Sequence, residues 1–239
     1  MKRLEHEWDR FGEADPLWAI LTHPDKKGGR WELADFFRTG EDEVAMIMQY
    51  LKSLAVIVRQ GKALDFGCGV GRLTQAMATR FENVWGVDIS LSMLRLAREY
   101  NERKNCKYDH NPHPDLRIYR SGGFDFIYSS FTLQHMAPRY AKGYLREFMR
   151  VLAPGGVLVF NLPSEPAGHR SLRDWIIGPV VNLYCNLSAE GPVMEMHGVK
   201  RKEVERLLEE NTGRVLDTML RRTAGLDWIS YRYAVVKAA

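Results

Sequence analysis

The sequence has few cysteines, no long apolar run and little excess charge. Its three cysteines, Cys68, Cys106 and Cys185, lie far apart and show no C-x-x-C spacing, which argues against a disulfide framework and against a structural zinc site. The 34 basic and 30 acidic residues leave a formal net charge of only +4, whereas nucleic-acid binding favours clustered Lys and Arg in clear excess. The sequence therefore predicts no metal site and no nucleic-acid partner.

Membrane and export signals are also missing from the sequence. No apolar run reaches the ~18 residues that a membrane span needs, and the opening stretch MKRLEHEWDR lacks the apolar core of a secretory signal. The rest of the composition, with 45% hydrophobic and 27% charged residues over 239 positions, is ordinary for a globular protein. We expect one domain with a sizeable core, no membrane span and a cytoplasmic location.

Residues 1–40 are rich in aromatic side chains but show no clear period. They contain Trp8, Trp18 and Trp31, and the turn-forming run HPDKKGG interrupts them. So many aromatic side chains must pack on another part of the protein. We expect an irregular N-terminal cap segment that docks on the domain, and a flap over a ligand pocket is the alternative.

Residues 41–161 alternate between helical and strand patterns. Helices are expected over residues 41–60, 71–81, 90–104 and 138–152, and strands at KALDF, NVWGVD, NCKYDH, FDFIYSS and GGVLVFNL. The first of these helices opens with three acidic residues, which suit the positive end of a helix dipole. Strands that alternate with helices favour right-handed crossovers and a doubly wound, mostly parallel α/β sheet.

The alternation stops after residue 161. Residues 162–199, which include Pro179 and Pro192, are expected to form an inserted substrate lid. The final segment, residues 200–239, begins with a helix that Gly213 caps, and the strands RVLDTMLR and WISYRYAVVK follow. The short connection between these strands favours an antiparallel hairpin, since a parallel pair needs a longer crossover. The fold class predicted is a Rossmann-like α/β sheet of seven strands.

A glycine-rich loop follows the first strand of residues 41–161. In the run DFGCGVG the glycines are Gly67, Gly69 and Gly71, and a helix comes next. Glycines allow a tight turn and close approach to a ligand, and a helix N-terminus attracts an anion. The dinucleotide fingerprint G-x-G-x-x-G would need a third glycine where Arg72 stands. Asp65, before the first glycine, would repel a pyrophosphate and attract a cationic group such as an α-amino group.

The second strand ends in another carboxylate, Asp88, which lies 21 residues after Gly67. A carboxylate at this position of a Rossmann-like sheet can accept both hydroxyls of a ribose. The pocket therefore favours a ligand with an anion, a cation and a ribose. An amino acid joined to a nucleoside has all three, and S-adenosylmethionine is that molecule.

With these features the chain resembles the class I S-adenosylmethionine-dependent methyltransferases. DFGCGVG and VWGVDIS are similar to their motifs I and II, and FDFIYSSFTLQHM with RVLAPGG resembles the small-molecule, ubiquinone/menaquinone-like branch. The resemblance covers residues 60–161 in motif detail and residues 41–239 in topology. It implies that residues 41–161 form the cofactor-binding core and that the cofactor is S-adenosyl-L-methionine.

The resemblance also implies roles for individual residues. Asp65 would contact the amino group of the cofactor, directly or through water, and Asp88 would contact its ribose. Asn111 would contact its adenine, with Asp109 and Asp115 as alternatives to Asn111. The full set implied for the cofactor is Asp65, Gly67, Cys68, Gly69, Gly71, Asp88, Ile89, Met93, Asn111, Ser129 and Ser130. His135 is the candidate catalytic base. The candidates for contact with the substrate are Phe131, His197, Trp175 and Tyr184.

Missing motifs restrict the acceptor class. The sequence has no Asn/Asp-Pro-Pro-aromatic motif, no Pro-Cys nucleophile and no paired glutamates after the fourth strand, which the resemblance associates with nucleic-acid and protein methylation. We therefore expect transfer to an O or N atom of a small molecule. The alternatives are a nicotinamide-dependent oxidoreductase and a cofactor-binding relative without activity. Several basic residues could attract an anionic acceptor, although a solvated face is favoured for them: Arg170, Arg173, Lys200, Arg201, Lys202, Arg221 and Arg222.

Overall fold

The computed structural model describes residues 1–167, 191–221 and 228–238. Within these ranges the helices are α1 (Lys2–Ala14), α2 (Pro16–Ile20), α3 (Leu33–Ser53), α4 (Arg72–Met77), α5 (Leu91–Glu99), α6 (Pro138–Val151) and α7 (Arg201–Glu210). The strands are β1 (Lys62–Phe66), β2 (Asn83–Asp88), β3 (Cys106–His110), β4 (Phe124–Ser129), β5 (Leu152–Pro166), β6 (Gly213–Arg221) and β7 (Trp228–Lys237). Two short 3₁₀ turns lie at Pro24–Lys26 and Leu133–His135.

All seven strands form one sheet in the order β3-β2-β1-β4-β5-β7-β6. Strands β1 to β5 pair in parallel, and β7 is antiparallel to both of its neighbours, β5 and β6. The predicted seven-stranded Rossmann-like sheet with a C-terminal antiparallel pair is confirmed. The strand order reverses between β1 and β4, so the loops that follow these two strands diverge and leave a crevice at their carboxyl ends.

Two apolar layers cover the two faces of the sheet. On one face, Val44, Ile47 and Leu51 of α3 pack on alternate residues of the central strands. On the other face, α6 packs Tyr144 and Phe148 against the sheet beside α7. Both faces are buried, which explains why β1 and β4 are buried at nearly every position rather than at alternate ones.

The N-terminal region differs from its expected description. Residues 1–40 are largely helical, since α1, α2 and the first turns of α3 lie there. Helix α3 begins at Leu33 and ends at Ser53, so the expected helix over residues 41–60 was wrong at both ends, and residue 41 is no boundary. Glu43 lies in the interior of α3, and its carboxylate serves a buried ion pair rather than a helix dipole.

Two smaller expectations about helix ends were also wrong. The helix expected over residues 71–81 is the six-residue α4, Arg72–Met77. Gly213 does not cap α7, because Thr212 takes the left-handed conformation (φ 68°) and Gly213 already begins β6. Most of the expected lid, residues 162–199, lies outside the described residues.

Candidate active site

A cavity opens at the carboxyl ends of β1, β2 and β4 and measures about 730 Å³ with its mouth. Its floor is formed by residues at the ends of these strands or directly after them, including Gly67, Asp88 and Ser130. Its cover is apolar and comes from α1 and α2, through the side chains of Met1, Leu4, Trp8, Ala19 and Ile20. The N-terminal segment therefore forms a wall of the cavity. From the sequence alone, docking on the domain and a flap over a pocket were both possible for this segment.

The loop after β1 takes a conformation that needs glycine. Gly67 has a φ of 75°, and an added Cβ there would lie 2.2 Å from the Thr132 side chain. The amide of Gly67 donates to the carbonyl of Val87 at 2.8 Å. Because residue 67 is a glycine, the loop after β1 can contact both the end of β2 and the loop after β4.

Asp88 holds the glycine loop from the end of β2. Its Oδ2 accepts from the amide of Gly69 at 2.8 Å, and its Oδ1 accepts from the amide of Ser90 at 2.9 Å. Burial raises the pKa of Asp88, and these backbone donors oppose that shift. Each carboxylate oxygen can accept a second hydrogen bond, so Asp88 presents two acceptor positions to the cavity that it lines.

Asp65 lies beneath the glycine loop and is not part of the cavity wall. Its side chain is 1% exposed; Oδ2 accepts from the Thr74 hydroxyl at 2.6 Å, and Oδ1 has no hydrogen-bond partner. Burial raises its pKa to about 7, while the Thr74 hydroxyl and the charge of Arg72 pull the pKa down. An acceptor oxygen buried without a partner is costly and suits a cationic partner.

Of the three residues considered for the adenine end, Asn111 alone lines the cavity. Its amide nitrogen donates to the carbonyl of Asp115 at 2.7 Å, which fixes the side-chain orientation. The alternatives are engaged elsewhere: Asp109 accepts from the Tyr119 hydroxyl at 2.9 Å, and Asp115 pairs with Arg117 at 2.6 Å.

The other residues implied for the cofactor divide into two groups. Lining the cavity are Gly67, Gly69, Ile89 and Ser130. The second group lies behind the wall and comprises Cys68, Gly71, Met93 and Ser129. Burial raises the pKa of the Cys68 thiol well above its usual value, so this side chain is neutral, and it packs in an apolar cluster with Leu94 and Tyr108.

His135 is buried in the cavity wall beside Trp8, with ring centroids 5.2 Å apart. Its Nδ1 lies 2.8 Å from the carbonyl of Glu195, which can only accept, so Nδ1 carries the proton. Nε2 then has the lone pair and accepts from the Gln134 amide at 3.1 Å. Burial lowers the pKa of His135 to about 4, so the ring is neutral at physiological pH.

The residues suggested for substrate contact lie in different places. Phe131 lines the cavity and has a left-handed backbone, with a φ of 57°. His197 pairs with Glu195 at 3.2 Å and is not among the residues that line the cavity. Trp175 and Tyr184 lie outside the described residues.

A buried ion pair next to the site was missed from the sequence. Arg72 contacts Glu43 of α3 at 2.7 Å, and the other carboxylate oxygen accepts from the hydroxyls of Tyr128 at 2.6 Å and Ser130 at 2.8 Å. Burial acts to raise the pKa of Glu43, but Arg72 and the hydrogen bonds outweigh it and lower the pKa. The signal was Arg72 itself, a charged residue at the position where a dinucleotide loop has glycine.

The described residues have two further properties. None of their helices combines the length and the apolarity that a membrane crossing needs. None of their His, Cys, Asp and Glu side chains forms a cluster of three that could hold a metal ion.

Comparison with known proteins gives consistent matches. Residues 64–160 match the model of a methyltransferase domain. The chain is 35% identical over 104 residues to the ubiquinone biosynthesis O-methyltransferase of Psychrobacter arcticus, which covers 42% of this chain and 40% of that protein. It is 34% identical over 115 residues to the trans-aconitate 2-methyltransferase of Deinococcus radiodurans, covering 46% of this chain and 42% of that protein. The chain thus spans less than half the length of these curated relatives.

Among solved structures, the fold is similar to magnesium protoporphyrin IX methyltransferase from Synechocystis with bound SAH. The TM-score is 0.63 at 17% identity, and 98% of each chain is covered. This likeness concerns the fold over the whole length, whereas the sequence match is confined to the core. Together with the glycine loop and Asp88, these matches confirm the resemblance found in the sequence: residues 64–160 are similar to the methyltransferase domain of class I, small-molecule S-adenosylmethionine-dependent enzymes.

Proposed function

We propose that this protein transfers a methyl group from S-adenosyl-L-methionine to an O or N atom of a small molecule, in the cytoplasm and without nucleic acid as a substrate. One observation carries the proposal. Asp88 lines a largely apolar cavity at the reversal point of the sheet and directly holds the glycine loop through its Oδ2. Ligands of open α/β sheets bind at this point.

The residues present fit the cofactor at each of its parts. The two acceptor positions of Asp88 suit the ribose hydroxyls, and the amide-fixed Asn111 with Ile89 suits the adenine. Asp65 lies behind the cavity wall, so its orphaned Oδ1 would reach the ammonium group through a water molecule or after a small shift of the glycine loop, and a cation nearby would stabilise this buried carboxylate. Ser130 and Phe131 stand at the cavity end beyond β4, where the proposal puts the reacting atoms.

When bound, the cofactor supplies an electrophilic methyl group that an acceptor heteroatom displaces from sulfur. The chain contributes alignment and exclusion of water, which are worth several kcal/mol in such displacements. Met1, Leu4 and Trp8 cover the cavity with apolar surface. They shield the reacting atoms from solvent without offering a competing nucleophile.

His135 is proposed to act on the proton of the acceptor. The carbonyl of Glu195 fixes the tautomer, so Nε2 is the atom that can accept. With a pKa of about 4 the imidazole is a weak base. Its role is therefore to accept a hydrogen bond from an O–H or N–H group of the acceptor, which would replace the Gln134 amide at Nε2, and to take up the proton that the acceptor loses as the methyl group bonds.

A thermal-shift experiment tests the cofactor assignment. S-adenosylhomocysteine at ~100 times its dissociation constant should stabilise the protein by about 2.7 kcal/mol, and NAD should not. Asp88→Ala should abolish the shift. Asp109→Asn is the matched control, because this carboxylate binds Tyr119 outside the cavity. A shift with NAD alone would establish the oxidoreductase, and no shift with either ligand would refute the proposal.

Turnover separates an enzyme from an inactive relative. Labelled methyl transfer from S-adenosylmethionine to a panel of hydroxylated and amino compounds should yield product with at least one acceptor. His135→Ala should lower kcat by about 10²-fold or more while leaving the S-adenosylhomocysteine shift intact. Binding without turnover on any acceptor would instead identify a binding protein.

A further inference from the structure

A second cavity, of about 560 Å³, adjoins the first one across Phe131, which lines both. We call it the arginine pocket, and its wall includes Asp42, Glu43, Phe131, Asn161, Arg221 and Arg232. It lies on the face of the sheet that α3 covers, beyond the end of the apolar packing. The proposed methyl-transfer function assigns nothing to it.

The register of β7 shows why the pocket is unusual. Alternate residues of β7 face α3, and Val236 and Ala234 pack there in the apolar layer. The next residue on that face is Arg232, which pairs with Asn161 of β5 on one side and with Met219 of β6 on the other. Its side chain is only 2% exposed. A charged residue thus occupies an inward position of a central strand.

Neither arginine of the pocket has an anionic partner among the described residues. Arg232 donates from Nε to Oδ1 of Asn161 at 3.3 Å. Arg221 follows Met219 by two positions on β6 and so lies on the same face as Arg232; its Nε is buried without a partner. Burial, followed by the positive charge of Arg232, lowers the pKa of Arg221. Two guanidinium groups therefore share one cavity, and no described carboxylate forms an ion pair with either of them.

The carboxylates nearby do not neutralise this pair. Glu43 is engaged by Arg72 at 2.7 Å and by two hydroxyls, and Asp42 lies on the exposed rim. Burying a charge without a partner costs several kcal/mol. If position 232 served only the stability of the fold, an apolar residue would be favoured there. An anion that enters the pocket would supply the missing partner, and paired guanidinium groups suit carboxylate or phosphate oxygens.

The pocket is also joined to the proposed reaction site by hydrogen bonds. Ser130, which lines the first cavity, accepts from the Asn161 amide at 3.3 Å, and Asn161 accepts from Arg232. A molecule with its anionic end at the arginines would therefore extend past Phe131 toward Ser130. This end of the first cavity is where the cofactor proposal puts the methyl group.

We propose that the arginine pocket binds the negatively charged end of the methyl acceptor, which is therefore a small molecule with a carboxylate or phosphate group. This inference rests on the proposed methyl-transfer function, because that function makes the neighbouring cavity the reaction site. Arg221 and Arg232 hold the anion, and Phe131 separates it from the reacting end.

The test is calorimetric titration of the full chain, saturated with S-adenosylhomocysteine, with succinate, tricarballylate and inorganic phosphate. Succinamide is the neutral counterpart of succinate. At least one anion should bind saturably and succinamide should not, and whether a carboxylate or phosphate binds more tightly identifies the anionic group. Arg221→Met and Arg232→Met should each weaken binding about tenfold or more. Arg95→Met, which alters an exposed arginine of α5, should leave the affinity unchanged.

The outcomes separate this inference from the proposed function. If S-adenosylhomocysteine binds but no anion binds below about 10 mM, or the Met variants bind as well as the wild type, the arginine pocket is refuted and the function stands. If S-adenosylhomocysteine fails to bind, the function fails, and the same titration of the free protein still decides the pocket. Arg221 is partly exposed at the end of β6, so Arg221→Met provides the answer if Arg232→Met does not fold.

Discussion

Asp65 should make both stability and cofactor affinity depend on pH. Burial raises its pKa from 3.8 to about 7, so between these values the folded protein binds a proton that the unfolded chain has lost. Stability from this group is therefore lost as the pH rises from about 4 to 7, by up to about 4 kcal/mol. Asp65→Asn keeps an oxygen for the Thr74 hydroxyl and removes the ionisation.

The stability assay is urea denaturation of the wild type and Asp65→Asn at pH 5 and pH 8. Between pH 5 and pH 8, the free energy of unfolding of Asp65→Asn should rise relative to that of the wild type by a few kcal/mol. His135 titrates in the opposite sense, but it does so in both proteins and cancels in the difference. If variant and wild type differ in free energy of unfolding by the same amount at pH 5 and pH 8, burial does not raise the pKa of Asp65 and the prediction is refuted.

Ligand binding provides the functional half of this prediction. If the ammonium group of S-adenosylhomocysteine pairs with ionised Asp65, binding at pH 6 must release the proton, about 0.9 per site for a pKa near 7. The affinity should then rise roughly tenfold from pH 6 to pH 8. Calorimetry in two buffers of different ionisation enthalpy measures the released protons. Equal proton release by wild type and Asp65→Asn would assign the effect to another group, such as Asp88, and would refute the role of Asp65.

Three other substitutions have defined outcomes. Gly67→Ala adds a Cβ 2.2 Å from the Thr132 side chain at a φ of 75°. The backbone strain should lower the free energy of unfolding by about 1–2 kcal/mol. The substitution should also weaken S-adenosylhomocysteine binding, which a thermal-shift assay measures. Arg72→Met leaves the Glu43 carboxylate buried without its cation and should lower the free energy of unfolding by about 3–5 kcal/mol in urea denaturation at pH 7. His135→Gln should remove a pH dependence of stability. The pKa of His135 is about 4 in the folded protein and 6.5 ordinarily, so the free energy of unfolding of the wild type should fall by about 3 kcal/mol between pH 6.5 and pH 4. Urea titrations at both pH values should show that the variant lacks this loss.

Each of these variants has a matched control in the chain. Gly122 has a φ of 66° with open space around its Cβ position, so Gly122→Ala should cost strain but no affinity. Arg95→Met breaks only an exposed contact with Glu99 and should cost little. His6 is exposed, and His6→Gln is the control for the loss of an exposed imidazole. Equal effects in a variant and its control would contradict the corresponding prediction.

Much of the fold could be predicted because its signals are local. The strands KALDF and NVWGVD have the predicted bounds, since each is a short apolar run between turn residues. The start of α3 was missed because Gly40 interrupts the helical pattern. An added Cβ at Gly40 would lie 2.5 Å from the carbonyl oxygen of Arg72, so this glycine serves a close approach of two helices, which a single sequence does not reveal.

The same distinction applies to the site. The glycine loop and Asp88 were found because their spacing within one segment carries the signal. The Glu43–Arg72 pair joins residues 29 positions apart, and the Tyr128–Glu43 bond joins residues 85 positions apart. Partners brought together by the fold have no local pattern. The arginine pocket was not predicted for this reason: Arg221 was one of several residues that could attract an anion, but a solvated face was favoured for it, and Arg232 was not named.

The hydrogen bonds around Glu43 connect the two ends of the site into one thermodynamic unit. Arg72 follows the glycine loop, Glu43 bonds both Arg72 and Ser130, and Ser130 reaches Arg232 through Asn161. A ligand that tightens one end of this chain fixes the shared groups for the other. If the proposed cofactor and acceptor bind at the two ends, any coupling between them must be reciprocal: each ligand would change the affinity for the other by the same factor, and Glu43→Gln should reduce that factor.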